Sequence, residues 1–374
     1  MSEKAFALNS NYVIDGVRQE LTPAQILDAL TEDVSNAEHP SPCEDAIVDE
    51  SVDPEVRASE PEGDDVAGYL SSVLSAVRKP PLSCMDSYTR CSIASALVDA
   101  MWNRGHFRIG NLLIDARWRW NEGPVGAMAA FYESVNAAAD YVDSLNLRFS
   151  RYRYVRTDGA ASLVFKAVLG DDEPGDEAIV AGAARSDEAF MLNERVCPAE
   201  LVPDSRSWVI YIPFDSSDYR LGGSLLAQTL GLGGAAPKIE DADYFLDCYE
   251  VVREFAEDGL LLSAATVGEG GLMAAAGRMA GNGVGVRLDI SDLLRSAGET
   301  DMVKVLFSEI PGAMIQIRDS DFDYVDAELL LQDVVYFPLG HPDPSGRKVT
   351  VAASAKSRIQ TILESLMLNA EGED

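Results

Sequence analysis

Two stretches decide how this chain reads: residues 220–231, RLGGSLLAQTLG, and residues 260–290, LLLSAATVGEGGLMAAAGRMAGNGVGVRLDI. Each holds a glycine pair, Gly222-Gly223 and Gly270-Gly271, directly before an apolar run of helical spacing. Glycine there lets the backbone turn tightly, and the first N–H groups of the helix then point at whatever sits in the corner. An anion, often a phosphate, suits that place. On the residues alone two readings stay open: plain turns ahead of helices, or a cradle for a phosphate.

Outward from these corners the second half alternates strands and helices. Strands are expected at 207–213, 260–265, 284–290, 313–318, 334–338 and 348–353. Helices are expected at 224–230, 243–258, 272–280, 322–331 and 355–368, with short ones after Asp289 and at 302–307. Gly259 suits the end of the second of these helices. The pattern predicts a layered α+β fold with helices covering one face of a sheet.

Upstream, residues 5–18 read as a strand or a hairpin around Asp15-Gly16. Thr22, Pro23 and Gln25 form a helix start of the capping-box type. Residues 31–65 change character: thirteen are Asp or Glu and one is Arg, with four prolines. Such a stretch buries too little apolar surface to offset its ordering entropy, and a disordered acidic linker is expected. Amphipathic helices follow, one ending before Pro80-Pro81 and one carrying Ile93, Leu97 and Met101 inward. A short strand at 111–116, a loop through RWRWNEGPVG, a helix at 127–143 and a hairpin over 147–169 around Asp158-Gly159 complete this half. Within that loop Arg117 and Arg119 alternate with Trp118 and Trp120, a pattern that more often marks a strand end with a half-buried aromatic edge than a pair facing a pocket. Arg148, Arg151, Arg153 and Arg156 make its main basic cluster, either an anion site or a solvated strand face.

The formal net charge is −32, which argues against DNA, RNA or an anionic membrane surface as principal partner. No apolar run reaches the ~18 residues of a membrane span. The N-terminus lacks a signal peptide's basic start and apolar core. Five scattered cysteines and three histidines show no metal-finger spacing. A reduced, cytoplasmic protein is the expectation.

Three stretches give a more specific resemblance. They are Leu221-Gly222-Gly223-Ser224-Leu225-Leu226-Ala227-Gln228; Glu269-Gly270-Gly271-Leu272 with Gly283-Val284-Gly285-Val286; and Leu306-Phe307-Ser308-Glu309 followed by Gly312-Ala313-Met314-Ile315-Gln316-Ile317. In order and spacing they resemble the second aminoimidazole-ribonucleotide-synthase-like half of the large phosphoribosylformylglycinamidine (FGAM) synthases of purine biosynthesis. The resemblance covers about residues 66–355, more weakly upstream. It implies an α+β half with a sheet-forming N-terminal part (66–206) and a C-terminal α+β sandwich (207–355). These would be flanked by an N-terminal strand and short helix (1–30), the acidic linker (31–65) and a C-terminal helix and tail (356–374).

The resemblance also implies ATP or ADP with magnesium. Gly222, Gly223, Ser224, Gly270, Gly271 and Arg153 would face the nucleotide, and Glu269 and Glu309 the metal. It implies a partner, a second copy or a related synthetase subunit, joined through a shared β-barrel. The chain departs from the family where chemistry is done. The family's His-Asp-Arg-Ser-Asp is Ala265-Thr266-Val267-Gly268-Glu269 here, and its Gly-Lys-Asp-Ser is Tyr152-Arg153-Tyr154-Val155. Its Asn-Trp is Arg117-Trp118. Two functions follow as expectations: a relative that has lost catalysis and acts by assembly, or an ATP-dependent ligase component completed by another chain.

Overall fold

A computed structural model describes residues 6–31, 46–48, 66–103, 108–169, 195–281, 283–346 and 348–353. Helix α1 (Phe6–Asn9) stands where alternation suggested a strand, and β1 (Tyr12–Ile14) and β2 (Val17–Arg18) then form the expected hairpin. Thr22 caps α2 (Pro23–Asp28): its hydroxyl accepts from Gln25 N–H, and the Gln25 side chain accepts from Thr22 N–H, closing the capping box. Strand β3 (Ala46–Val48) pairs parallel to β1, so a strand lies within the stretch expected to be linker. The rest of that stretch, 32–45 and 49–65, lies outside the described residues, as does the expected C-terminal helix at 355–368.

Helix α3 (Val66–Ser75) ends before the proline pair, as its sequence predicts. Helices α4 (Met85–Met101) and α5 (Ala127–Ser144) cover one face of a three-stranded sheet of β4 (Leu112–Trp120), β5 (Phe149–Arg156) and β6 (Ser162–Leu169). The Arg-Trp repeat takes the strand-end form rather than the loop. It lengthens β4, with Trp118 and Trp120 buried and Arg117 and Arg119 exposed on alternate sides. The indoles can be buried because each N–H has an acceptor: Ser134 Oγ at 3.0 Å for Trp118, Ala127 O at 2.9 Å for Trp120.

The expected hairpin of β5 with β6 does not form. The strand order is β5-β4-β6, with β5 parallel and β6 antiparallel to β4. Apolar burial explains this. Phe149 of β5 and Leu163 and Phe165 of β6 join the buried tryptophans of β4 in one core, half-buried Tyr152 and Tyr154 of β5 pack against it, and the connecting turn is held by Asn121 Nδ2 to Gly159 O at 2.9 Å.

The larger sheet holds six strands in the order β12-β9-β11-β7-β10-β8. They are β7 (Trp208–Pro213), β8 (Leu261–Val267), β9 (Gly285–Asp289), β10 (Gly312–Ile317), β11 (Phe337–Asp343) and β12 (Val349–Ala352). Helices α6 (Leu225–Leu230), α7 (Ala242–Glu257), α8 (Gly271–Met279), α9 (Ser291–Ala297), α10 (Met302–Phe307) and α11 (Phe322–Leu331) connect them. β11 starts later than expected and runs to Asp343.

Helices cover both faces of this sheet, not the single face that the alternation suggested. Ile210 and Ile212 pack into a core shared with α4, α5 and α7, while Val209 and Tyr211 pack into a second core with α6, α8 and α10. The reason is in β7 and β10: WVIYIP and GAMIQI are near-continuous apolar runs, suited to strands buried on both sides. Gln316 interrupts one run, and its side chain is fully satisfied by Val202, Ser207 and Ser263.

Candidate functional site

The two diglycine corners meet. Ser224 caps α6, its Oγ accepting from Ala227 N–H at 3.1 Å. Gly270 precedes α8 in the left-handed region with φ 77°, and Gly271 follows with φ 69°. Between these helix entrances lies the buried carboxylate of Glu309, just past α10. Its Oε1 accepts from Leu225 N–H at 2.8 Å and from Gly270 N–H at 2.8 Å. One carboxylate thus serves the first turns of both helices, where an anion is most favoured.

The other oxygen, Oε2, accepts from the Arg78 guanidinium at 2.5 Å. Arg78 lies over the Tyr88 ring at 4.4 Å, and a second guanidinium nitrogen is 3.7 Å from Glu269. Burial works against the Arg78 charge, but Glu309, Tyr88 and Glu269 outweigh it and hold its pKa above the ordinary arginine value. Both carboxylates singled out by sequence therefore share one largely buried cation. Arg78 was not singled out, and the isolated arginine in AVRKPP carries no motif that would have found it.

The glycines themselves are filled by protein. A Cβ on Gly222 would lie 2.2 Å from Gly234 O, and one on Gly271 would lie 2.7 Å from Leu306 O. These positions are glycine because another backbone passes against them. Where the sequence left a guest phosphate as one of two readings, the chain supplies its own anion and its own packing. Among the described residues no group of three or more His, Cys, Asp or Glu side chains is placed to hold a metal ion.

Beside this junction a cavity of about 580 Å³ opens between α4, β6 and the β8–α8 turn. Arg78, Asp99, Arg195, Glu269 and Arg278 line it with the Tyr88 ring. Arg195 donates to the carbonyls of Cys197 (2.7 Å) and Ala264, and Arg278 to the Glu269 carbonyl at 3.3 Å. Thr266 donates to Asp99 and accepts from Trp102 Nε1 at 2.8 Å, tying α4 to β8. The lining is mixed in sign, with three guanidiniums able to meet an anion.

Arg153 is not part of this site. It lies on the outward face of β5, in register with Arg117, and does not line the cavity. Cys91 on the cavity wall is no ready nucleophile: burial, with Glu309 nearby, pushes its thiol far above the usual range, and it donates to Glu309 O at 2.9 Å.

Among known proteins, the chain is 25% identical over 248 residues to phosphoribosylformylglycinamidine synthase from Homo sapiens, a match covering 65% of this chain and 17% of that one. The chain therefore spans under a fifth of that relative's length. Solved structures similar to it include tt0281 from Thermus thermophilus (18% identity, 73% of this chain, 81% of that chain, TM-score 0.47). Another is PurLQS from Thermotoga maritima (11% identity, 74% of this chain, 41% of that chain, TM-score 0.48). Residues 216–327, the part that carries both diglycine corners and Glu309, match the family model of AIR synthase related protein, C-terminal domain.

Proposed function

We propose that this chain is a divergent relative of FGAM synthase, linked to purine biosynthesis, that has kept the fold and acts through assembly rather than by turning over ATP on its own. The observation that carries this reading is Glu309. Its carboxylate, neutralised by Arg78, occupies both helix entrances that a phosphate would need. A triphosphate there would have to displace a buried, hydrogen-bonded ion pair, which is costly. The residue changes at 265–269 and 152–155 remove further phosphate and metal partners. The residues present do not fit a magnesium–nucleotide cradle at these corners, where Glu309 and Arg78 already occupy the space. The partner would be a second copy or a related synthetase subunit, and the setting cytoplasmic.

Isothermal titration with Mg-ATP and with Mg-ADP tests the reading. No heat is expected at high micromolar nucleotide, and saturable binding would overturn it. A second reading is favoured by the cavity, whose Arg78, Arg195 and Arg278 could hold an anionic substrate in a ligase component completed by another chain. In that case Arg195→Glu or Arg278→Glu should abolish nucleotide or substrate binding measured in the native assembly.

A further inference from the structure

We propose that the outward face of the β5–β4–β6 sheet is a docking surface for an acidic segment of this same chain, residues 32–45. The face opposite the helices presents Arg117, Arg119, Arg151, Arg153 and Lys166, all exposed. Among its outward residues Asp115 is the one carboxylate, and it is taken by Arg151 Nε at 2.7 Å. Register puts Arg117 between Arg153 and Val164, so like charges sit directly opposite each other on neighbouring strands. Val155 and Val164 lie among them, 38% and 42% exposed. This is a cationic, partly apolar patch on a chain of net charge −32.

Such a face fits an extended, anion-rich occupant. A second copy would bring the same arginines against these, and like charges suppress that pairing. Residues 32–45 contain Glu32, Asp33, Glu38, Glu44 and Asp45 and no Lys or Arg. Their starting point is at the face. Thr31 bridges Phe149, the first residue of β5, in parallel, and Phe149 N–H donates to Leu30 O at 2.8 Å. β5 is an outer strand of its sheet, and Glu32 and Asp33 follow that bridge directly in the chain. The other end is held where Ala46 pairs with Tyr12. Fourteen residues span at most roughly 50 Å, against about 26 Å for the eight residues of β5, so the tether allows contact along the face. Being tethered, the segment meets the face at high effective concentration without any partner.

Hydrogen–deuterium exchange of β5 in the full chain tests this. Three proteins are compared: wild type; a neutralised form with Glu32→Gln, Asp33→Asn, Glu38→Gln, Glu44→Gln and Asp45→Asn; and Arg117→Glu with Arg153→Glu. Wild-type β5 amides should exchange several-fold more slowly than in either variant. That protection should vanish at about 1 M NaCl, where screening acts within ~3 Å. Carbodiimide should join Lys166 to a carboxylate of residues 32–45 within one chain. Equal exchange in wild type and the neutralised form overturns the proposal. So does protection that grows with protein concentration, which would mean a second copy, or Lys166 linked only to residues elsewhere. Should the arginine variant fail to fold, the neutralised form, which changes no described residue, decides.

Discussion

At the scale of single residues, Glu309 joins the most parts of the structure. It pairs with a cation 231 positions away and accepts N–H bonds from two helix starts. Removing one member of a buried pair leaves the other charge uncompensated. Glu309→Ala or Arg78→Met is therefore expected to cost about 3–5 kcal/mol by denaturant unfolding. The double variant Arg78→Met with Glu309→Leu should cost clearly less than the sum of the single changes. Glu309 was legible as a candidate only through the resemblance, and as a metal ligand, while its partner was not legible, because no local pattern relates positions so far apart.

Asp215 gives a pH prediction at the same scale. It is buried, and burial raises its pKa despite hydrogen bonds from the Ser217 side chain and the Ser217 and Asp241 N–H groups. With the folded pKa above the unfolded one, the native state holds the extra proton between them. Stability from this group is present below the unfolded value and is lost as pH rises through the folded pKa. Between about pH 4, near the ordinary carboxylate value, and neutrality, wild type should lose more stability than Asp215→Asn, which cannot titrate. Urea melts at both ends of the window measure it.

At the scale of elements, the glycine corners test packing against conformational freedom. Gly271→Ala meets both a positive φ and backbone at 2.7 Å, and should cost at least about 2–3 kcal/mol. Gly159→Ala, with no positive φ and its nearest neighbour at 3.6 Å, should stay within about 0.5 kcal/mol. Thermal melts of the pair suffice. Element types were mostly legible: the capping box at Thr22 and the helices at α3, α5, α7 and α10 follow from side-chain period and cap chemistry. The pairing of β5 and β6 was not legible, because an Asp-Gly turn reports only a local bend. β4, from earlier in the chain, inserted between the two strands to bury its tryptophans.

At the scale of the whole molecule, α4 and its C-cap Trp102 link the two layers through side-chain contacts to the second half. Among them are Ser87 Oγ to Pro237 O (2.5 Å), Cys91 Sγ to Glu309 O (2.9 Å), Thr266 Oγ1 to Asp99, and Trp102 Nε1 to Thr266 Oγ1 (2.8 Å). Thr266→Val strands the Trp102 N–H, and should cost about 1–3 kcal/mol and lower the midpoint of a single unfolding transition. Separate transitions for the two layers would show instead that they do not fold as one unit. Among the described residues no helix is long and apolar enough to cross a membrane.

The sequence by itself determined what local physical chemistry can encode: the periods of strands and helices, the caps, the glycines at two helix entrances and the acidity of the chain. It could not determine what those glycines face or which cation meets which carboxylate. It also left open how many faces of the sheet are covered. Those were decided only in the tertiary structure, because burial selects partners by proximity in space. There a buried carboxylate with a largely buried arginine takes the place that the primary structure left open for an anion.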